Sequence, residues 1–116
     1  MPLANPNADR YASRHLVISE EIFSEPTRVV MTICIPALDG RELKLYHGIG
    51  SGDSLLGQTL LWDSNVILID ELLYRYSERF RAGARVVELG CGLGVPGMVC
   101  AAYGAHTVIT DDPEVL

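Results

Sequence analysis

The chain has 116 residues, 48% of them hydrophobic and 21% charged, with 9 Lys and Arg against 15 Asp and Glu for a formal net charge of -6. That balance belongs to a water-soluble globular chain with room for one domain at most. It excludes a nucleic-acid partner, whose affinity would rest on Lys and Arg neutralising phosphates, and no basic run of five residues is present.

The three cysteines, Cys34, Cys91 and Cys100, are odd in number and show no CxxC spacing. They read as reduced thiols of a cytoplasmic protein, or one shared with the nucleus. Residues 89–109 carry no formal charge, yet five glycines and a proline interrupt them, so no membrane span is expected. The N-terminus, with Asp9 and Arg10 and no apolar core, does not read as a targeting signal.

In chain order, residues 1–14, "MPLANPNADRYASR", show no periodicity and predict a disordered tail. Residues 15–48 predict a small antiparallel β-segment. Val, Ile and Thr dominate residues 15–23 and 28–35, and "SEPT" between them is a turn signal. Asp39-Gly40 follows, supplying the positive φ angles of a tight hairpin. Leu43 and Leu45 then alternate with Glu42, Lys44 and Tyr46, the period of a strand with one wet face.

After the Gly/Ser loop "GIGSGDSLLGQ" the apolar period changes. Trp62, Val66, Ile69, Leu73 and Tyr76 recur at steps of four, three, four and three, which puts them on one face of a helix ending near "RAGA". Glu71 and Arg75 are placed to pair outside it. "RVVEL" at residues 85–89 predicts an inner strand of a parallel sheet. "VPGMVCAAY" predicts a helix with Pro96 in its first turn and Gly104 as its left-handed stop. "HTVIT" predicts the next strand, and "DDPE" a helix start capped by Asp112. The unit is one βαβ crossover, right-handed by the general rule.

The fold class expected is therefore α/β: a truncated Rossmann-like doubly wound sheet represented by its first βαβ unit, preceded by the antiparallel β-segment and the amphipathic helix. Such a sheet needs several units of roughly 30 residues each. Residues 49–116 thus read as the incomplete N-terminal part of a larger domain, since two parallel strands alone leave edges and faces uncovered.

Chemistry concentrates in "VVELGCGLGVPG", residues 86–97. Glycines behind a parallel strand let backbone N–H groups approach a ligand, and the next helix offers its positive end. Two cofactor classes use that arrangement. Gly92, Gly94 and Gly97 fit the dinucleotide pattern GxGxxG, with Asp111 near the spacing of a ribose-binding acid. The second pattern begins earlier, as Glu88-x-Gly90-x-Gly92-x-Gly94. S-adenosylmethionine carries a sulfonium and an ammonium that a carboxylate can face, whereas pyrophosphate would be repelled by it. Glu88 therefore favours S-adenosylmethionine, with Asp111 as a charge-assisted acceptor for the ribose hydroxyls.

"LLWDSNVILIDELL", "VVELGCGLGVPGMVCAAYGA" and "VITDDPEVL" together resemble the class I, seven-strand methyltransferases, and within them the methyltransferase-16 family of protein lysine methyltransferases. The likeness is strong over residues 56–116 and weaker over the β-segment. It implies that Trp62 packs on the cofactor, that Gly90, Cys91 and Gly92 line its methionine part, that Asp111 binds its ribose, and that Glu88 is the acidic first position of the loop motif. It also implies a lysine-bearing protein substrate of non-histone type. Pro96 departs from the Val frequent at its position. The strands that complete the adenine pocket and line the lysine channel would lie beyond Leu116, so no catalytic residue is named, and weak or no cofactor binding is expected of residues 1–116 alone.

Each of these residues has a plainer reading. Glu88 would serve equally as a structural carboxylate capping nearby N–H groups, Trp62 as helix core, and Asp111 as a helix cap. His15, His47 and His106 share no spacing that suggests a metal site, and Cys91 lacks the basic neighbour that would make its thiol reactive. Two other functions remain open at this level: a nicotinamide-dependent oxidoreductase, and a non-catalytic truncated isoform acting as an interaction module.

Overall fold

Residues 2–3, 13–24, 27–48 and 63–113 are described by the computed structural model. They belong to two units, Met1–Asp53 and Ser54–Leu116.

The first unit is an antiparallel sheet of four strands in the order β1 (Pro2–Leu3), β2 (Val17–Ser24), β3 (Thr27–Ile35), β4 (Arg41–Gly48). Alternation along β3 decides its faces: Val29, Met31, Ile33 and Ile35 are buried, and Val30, Thr32 and Cys34 between them are half-buried. The register sets the buried Ile18 opposite Ile33. Each large apolar side chain buried in this way contributes about 1.5–3 kcal/mol. On β4, Leu43 and Leu45 are half-buried while Glu42, Lys44 and Tyr46 are exposed, the alternation read from the sequence.

Two details differ from the sequence expectation. The β3–β4 connection runs through a 3-10 turn, Pro36–Leu38, before Asp39 and Gly40, so it is longer than a two-residue hairpin. Asp39 and Gly40 nevertheless take the positive φ angles expected of them, 57° and 74°, which Asp tolerates and Gly adopts freely. In the segment expected to be a disordered tail, Pro2 and Leu3 pair with Phe23 and Ile22. That pairing partner lies some twenty positions away, beyond the reach of local composition.

Among the described residues the second unit starts with α1 (Asp63–Arg81). Val66, Ile69, Leu73 and Phe80 are buried along it. Tyr76, placed on the same face by its spacing, is 39% exposed and instead lies against Phe80 with ring centroids 6.5 Å apart. Glu71 and Arg75 form the expected i, i+4 ion pair on the exposed side. Gly83, at φ 88°, turns the chain into β5 (Arg85–Glu88), which pairs in parallel with β6 (His106–Ile109). Between them runs α2 (Val95–Tyr103), packed against α1 and against both strands. Gly104 closes α2 at φ 117°, its N–H directed at the carbonyls of Ala101 and Cys100. Arg81 stacks over the Tyr103 ring, 5.1 Å from its centroid, and ties the end of α1 to the end of α2.

The architecture is thus mixed α/β, an antiparallel sheet followed by a helix and a βαβ unit. On the α2 side of the parallel pair stand Val86, Glu88, Thr107 and Ile109; Val87 and Val108, partners in register, are exposed. Among the described residues no helix is long and apolar enough to cross a membrane. The helix start expected at "DDPE" extends outside the described residues.

Candidate functional site

The loop from β5 to α2 is built on backbone that side chains would strain. Gly90, Gly92 and Gly94 all have positive φ, at 62°, 55° and 80°. A Cβ on Gly90 would meet nothing within 4 Å, so the loop faces open space there. Gly97 is needed for a different reason: a Cβ would stand 2.3 Å from Cγ2 of Ile109 and 2.9 Å from Oε1 of Glu88. Helix α2 therefore enters against β6 at a distance only glycine permits.

Three carboxylate contacts fasten this loop. Gly97 N–H donates to Oε1 of Glu88 at 2.8 Å. Gly92 N–H donates to Oδ2 of Asp111 at 2.6 Å, and Asp112 N–H to its Oδ1 at 2.7 Å. The parallel ladder also continues past the strands, with Thr110 N–H reaching the Glu88 carbonyl at 2.8 Å and Cys91 N–H reaching the Thr110 carbonyl at 2.9 Å. Six of the seven candidate residues, Glu88, Gly90, Cys91, Gly92, Gly94 and Asp111, are brought together in one loop and the strand end beside it. Trp62 lies outside the described residues.

The electrostatics divide the two acids. Partial burial pushes the Glu88 carboxyl above its ordinary value, the Gly97 hydrogen bond pulls it back, and repulsion from Asp111 raises it further. Asp111 is held below the usual carboxylate range by the Gly92 and Asp112 amides. Burial, with Asp111 and Glu88 nearby, raises the Cys91 thiol, which disfavours a reactive thiolate in the loop. Cys91 is buried, and both its backbone groups are used inside the loop, since Gly94 N–H donates to its carbonyl at 2.8 Å.

The capping reading of Glu88 is thereby a structural fact. Gly94, the N-cap before α2, has no side chain to cap the helix, and Glu88 supplies the missing acceptor from the neighbouring strand. This arrangement bears on the choice of ligand. A pyrophosphate on a helix N-terminus needs free backbone N–H groups. In the first turn of α2, Pro96 has none and that of Gly97 is taken by a carboxylate.

Two contributors were missed in the sequence. The hydroxyl of Thr110 donates to the Glu88 carbonyl at 2.9 Å, and Ile109 is what crowds Gly94 and Gly97. Both residues stand in the quoted "VITDDPEVL", but only three-dimensional packing reveals these contacts. Among the described residues no group of three His, Cys, Asp or Glu side chains is placed to hold a metal ion.

A family model described as lysine methyltransferase matches residues 39–116, which include the whole of this loop and both strands that bear it. The chain belongs to the lysine methyltransferase family. It is 29% identical over 114 residues to the "Protein N-terminal and lysine N-methyltransferase EFM7" of Yarrowia lipolytica, a match covering 97% of this chain and 35% of that protein. It is 35% identical over 79 residues to the "EEF1A lysine methyltransferase 3" of Mus musculus, covering 66% of this chain and 32% of that protein. The chain thus spans about a third of the length of these curated relatives. The yeast match takes in the antiparallel sheet as well, which the family model reaches only from residue 39 onward.

Proposed function

We propose that this lysine methyltransferase chain carries the cofactor loop of an S-adenosylmethionine-dependent enzyme that methylates a lysine on a non-histone protein in the cytoplasm. Its second unit is then the first βαβ unit of a Rossmann-like doubly wound sheet. The observation that carries the reading is the Glu88 carboxylate on the Gly97 amide. It takes one amide of the helix end that a dinucleotide would use and sets a negative group beside an open glycine turn.

The residues present fit the cofactor. Glu88 would face its cationic end and the backbone of Gly90, Cys91, Gly92 and Gly94 would give it close approach; Trp62, outside the described residues, keeps the packing role that the resemblance implies. Each Asp111 oxygen accepts one backbone N–H and keeps lone-pair capacity for a ribose hydroxyl. The cofactor would supply an activated methyl on a sulfonium. The protein's part is to hold that methyl in line with a neutral amine and keep the pair oriented. The names of both relatives support a protein amine as the acceptor.

Calorimetry with S-adenosylhomocysteine tests this in the full-length protein. Wild type should bind, and Asp111→Ala and Gly92→Val should abolish binding. Gly92→Val fails because a β-branched side chain is strained at φ 55°. Tight binding by both variants would overturn the assignment.

A further inference from the structure

The glycine turn is gripped from outside by one residue. Thr110 places two donors on the Glu88 carbonyl, its N–H at 2.8 Å and its hydroxyl at 2.9 Å, and its own carbonyl accepts the Cys91 N–H at 2.9 Å. It therefore holds both ends of the turn that runs from Glu88 through Leu89 and Gly90 to Cys91. A Cβ on Gly90 would touch nothing, and Leu89 is 80% exposed, so side-chain packing does little to shape that turn. Its form rests on hydrogen bonds, and Asp111 extends the same grip to Gly92.

We propose that Thr110 is a positioning residue of the cofactor site: its hydroxyl adds a second hold on the Glu88 carbonyl beside its own N–H, and so sharpens the path of the glycine turn and the direction in which the Glu88 side chain leaves the strand. This rests on the reading of the loop as an S-adenosylmethionine site and deepens it. The cofactor's affinity then depends on a group that does not touch it. The turn is also ordered before the ligand arrives, which lowers the entropic cost of binding.

Thr110→Val keeps the shape and the β-branching suited to a strand end but removes the donor. The Thr110 N–H still satisfies the Glu88 carbonyl in that variant, so no buried acceptor is orphaned and the fold is retained. Thr110→Ser restores the hydroxyl. In the full-length protein, Thr110→Val should bind S-adenosylhomocysteine about three- to tenfold more weakly, the worth of one hydrogen bond. The Cys91 amide should exchange faster with solvent, amides in α1 should keep wild-type rates, and Thr110→Ser should recover both properties.

Wild-type affinity and unchanged Cys91 exchange in Thr110→Val would overturn the positioning role, while loss of binding in Asp111→Ala would leave the cofactor reading standing. A large fall in melting temperature that Thr110→Ser does not rescue would also overturn it, as the mark of a merely structural residue. If wild type binds no S-adenosylhomocysteine, the cofactor reading itself fails and the proposal with it.

Discussion

Burial and hydrogen bonding act on the Glu88 charge in opposite directions. Partial burial raises its carboxyl and the Gly97 amide lowers it, with the net shift upward. For an acid whose folded value is raised, the folded state binds the proton more tightly than the unfolded chain. Its ionisation therefore costs stability as pH rises through the window just above the ordinary carboxylate range. A cationic ligand has the opposite preference and needs the charge. Affinity for S-adenosylhomocysteine, a thioether whose ammonium is the one cation Glu88 could face, should consequently rise with pH across that window, while Asp111, shifted downward, stays ionised throughout. Glu88→Gln keeps an oxygen for Gly97 but carries no charge. It should flatten this profile and bind about tenfold more weakly at neutral pH, with its melting temperature unchanged or higher, as titration calorimetry and thermal melts would show. An unaltered profile would mean that the carboxylate serves the helix end alone. Gly97→Ala tests the packing beside it: Ile109 leaves no room for an added Cβ, so a loss of about 1–3 kcal/mol is expected in denaturant melts. At this scale Glu88 and Asp111 were legible as a motif. The crowding at Gly97 was not, because it depends on how closely α2 approaches β6.

Among the elements, α1 shows what spacing can and cannot reveal. Val66, Ile69 and Leu73 lie where steps of three and four put them, on the buried face. The next step, Tyr76, is turned partly outward, and the helix ends its buried stripe with Phe80 instead. Leu73→Ala should cost about 2–5 kcal/mol and Tyr74→Ala, on the exposed side, less than about 0.5 kcal/mol. Similar losses for both, measured by urea unfolding, would contradict the observed burial. The antiparallel strands were equally legible, since alternation in β3 and β4 fixes which residues share a face. The pairing of Pro2 and Leu3 with β2 was hidden, because nothing local in a two-residue strand announces a partner.

Across the whole molecule the two units carry different thiols. Cys91 and Cys100 are buried in the second, and burial with Glu88 nearby pushes Cys100 up to about 11. Cys34, in the first, is half-buried. Iodoacetamide at mildly alkaline pH should therefore label Cys34 well before the other two, as peptide mass mapping would show; early labelling of Cys91 would mean that the glycine loop opens freely. The family was legible at this scale because the loop motif, the helix before it and the strand-end acid stand in a fixed order, whereas no residue pattern in the sequence names a substrate. The most direct measurement is a paired calorimetric titration of the full-length protein with S-adenosylhomocysteine and with NAD. Saturable binding of the first and none of the second is predicted, because the Glu88 carboxylate on the Gly97 amide sets a negative group at the helix end where a pyrophosphate would rest. Binding of NAD in preference to S-adenosylhomocysteine would contradict it.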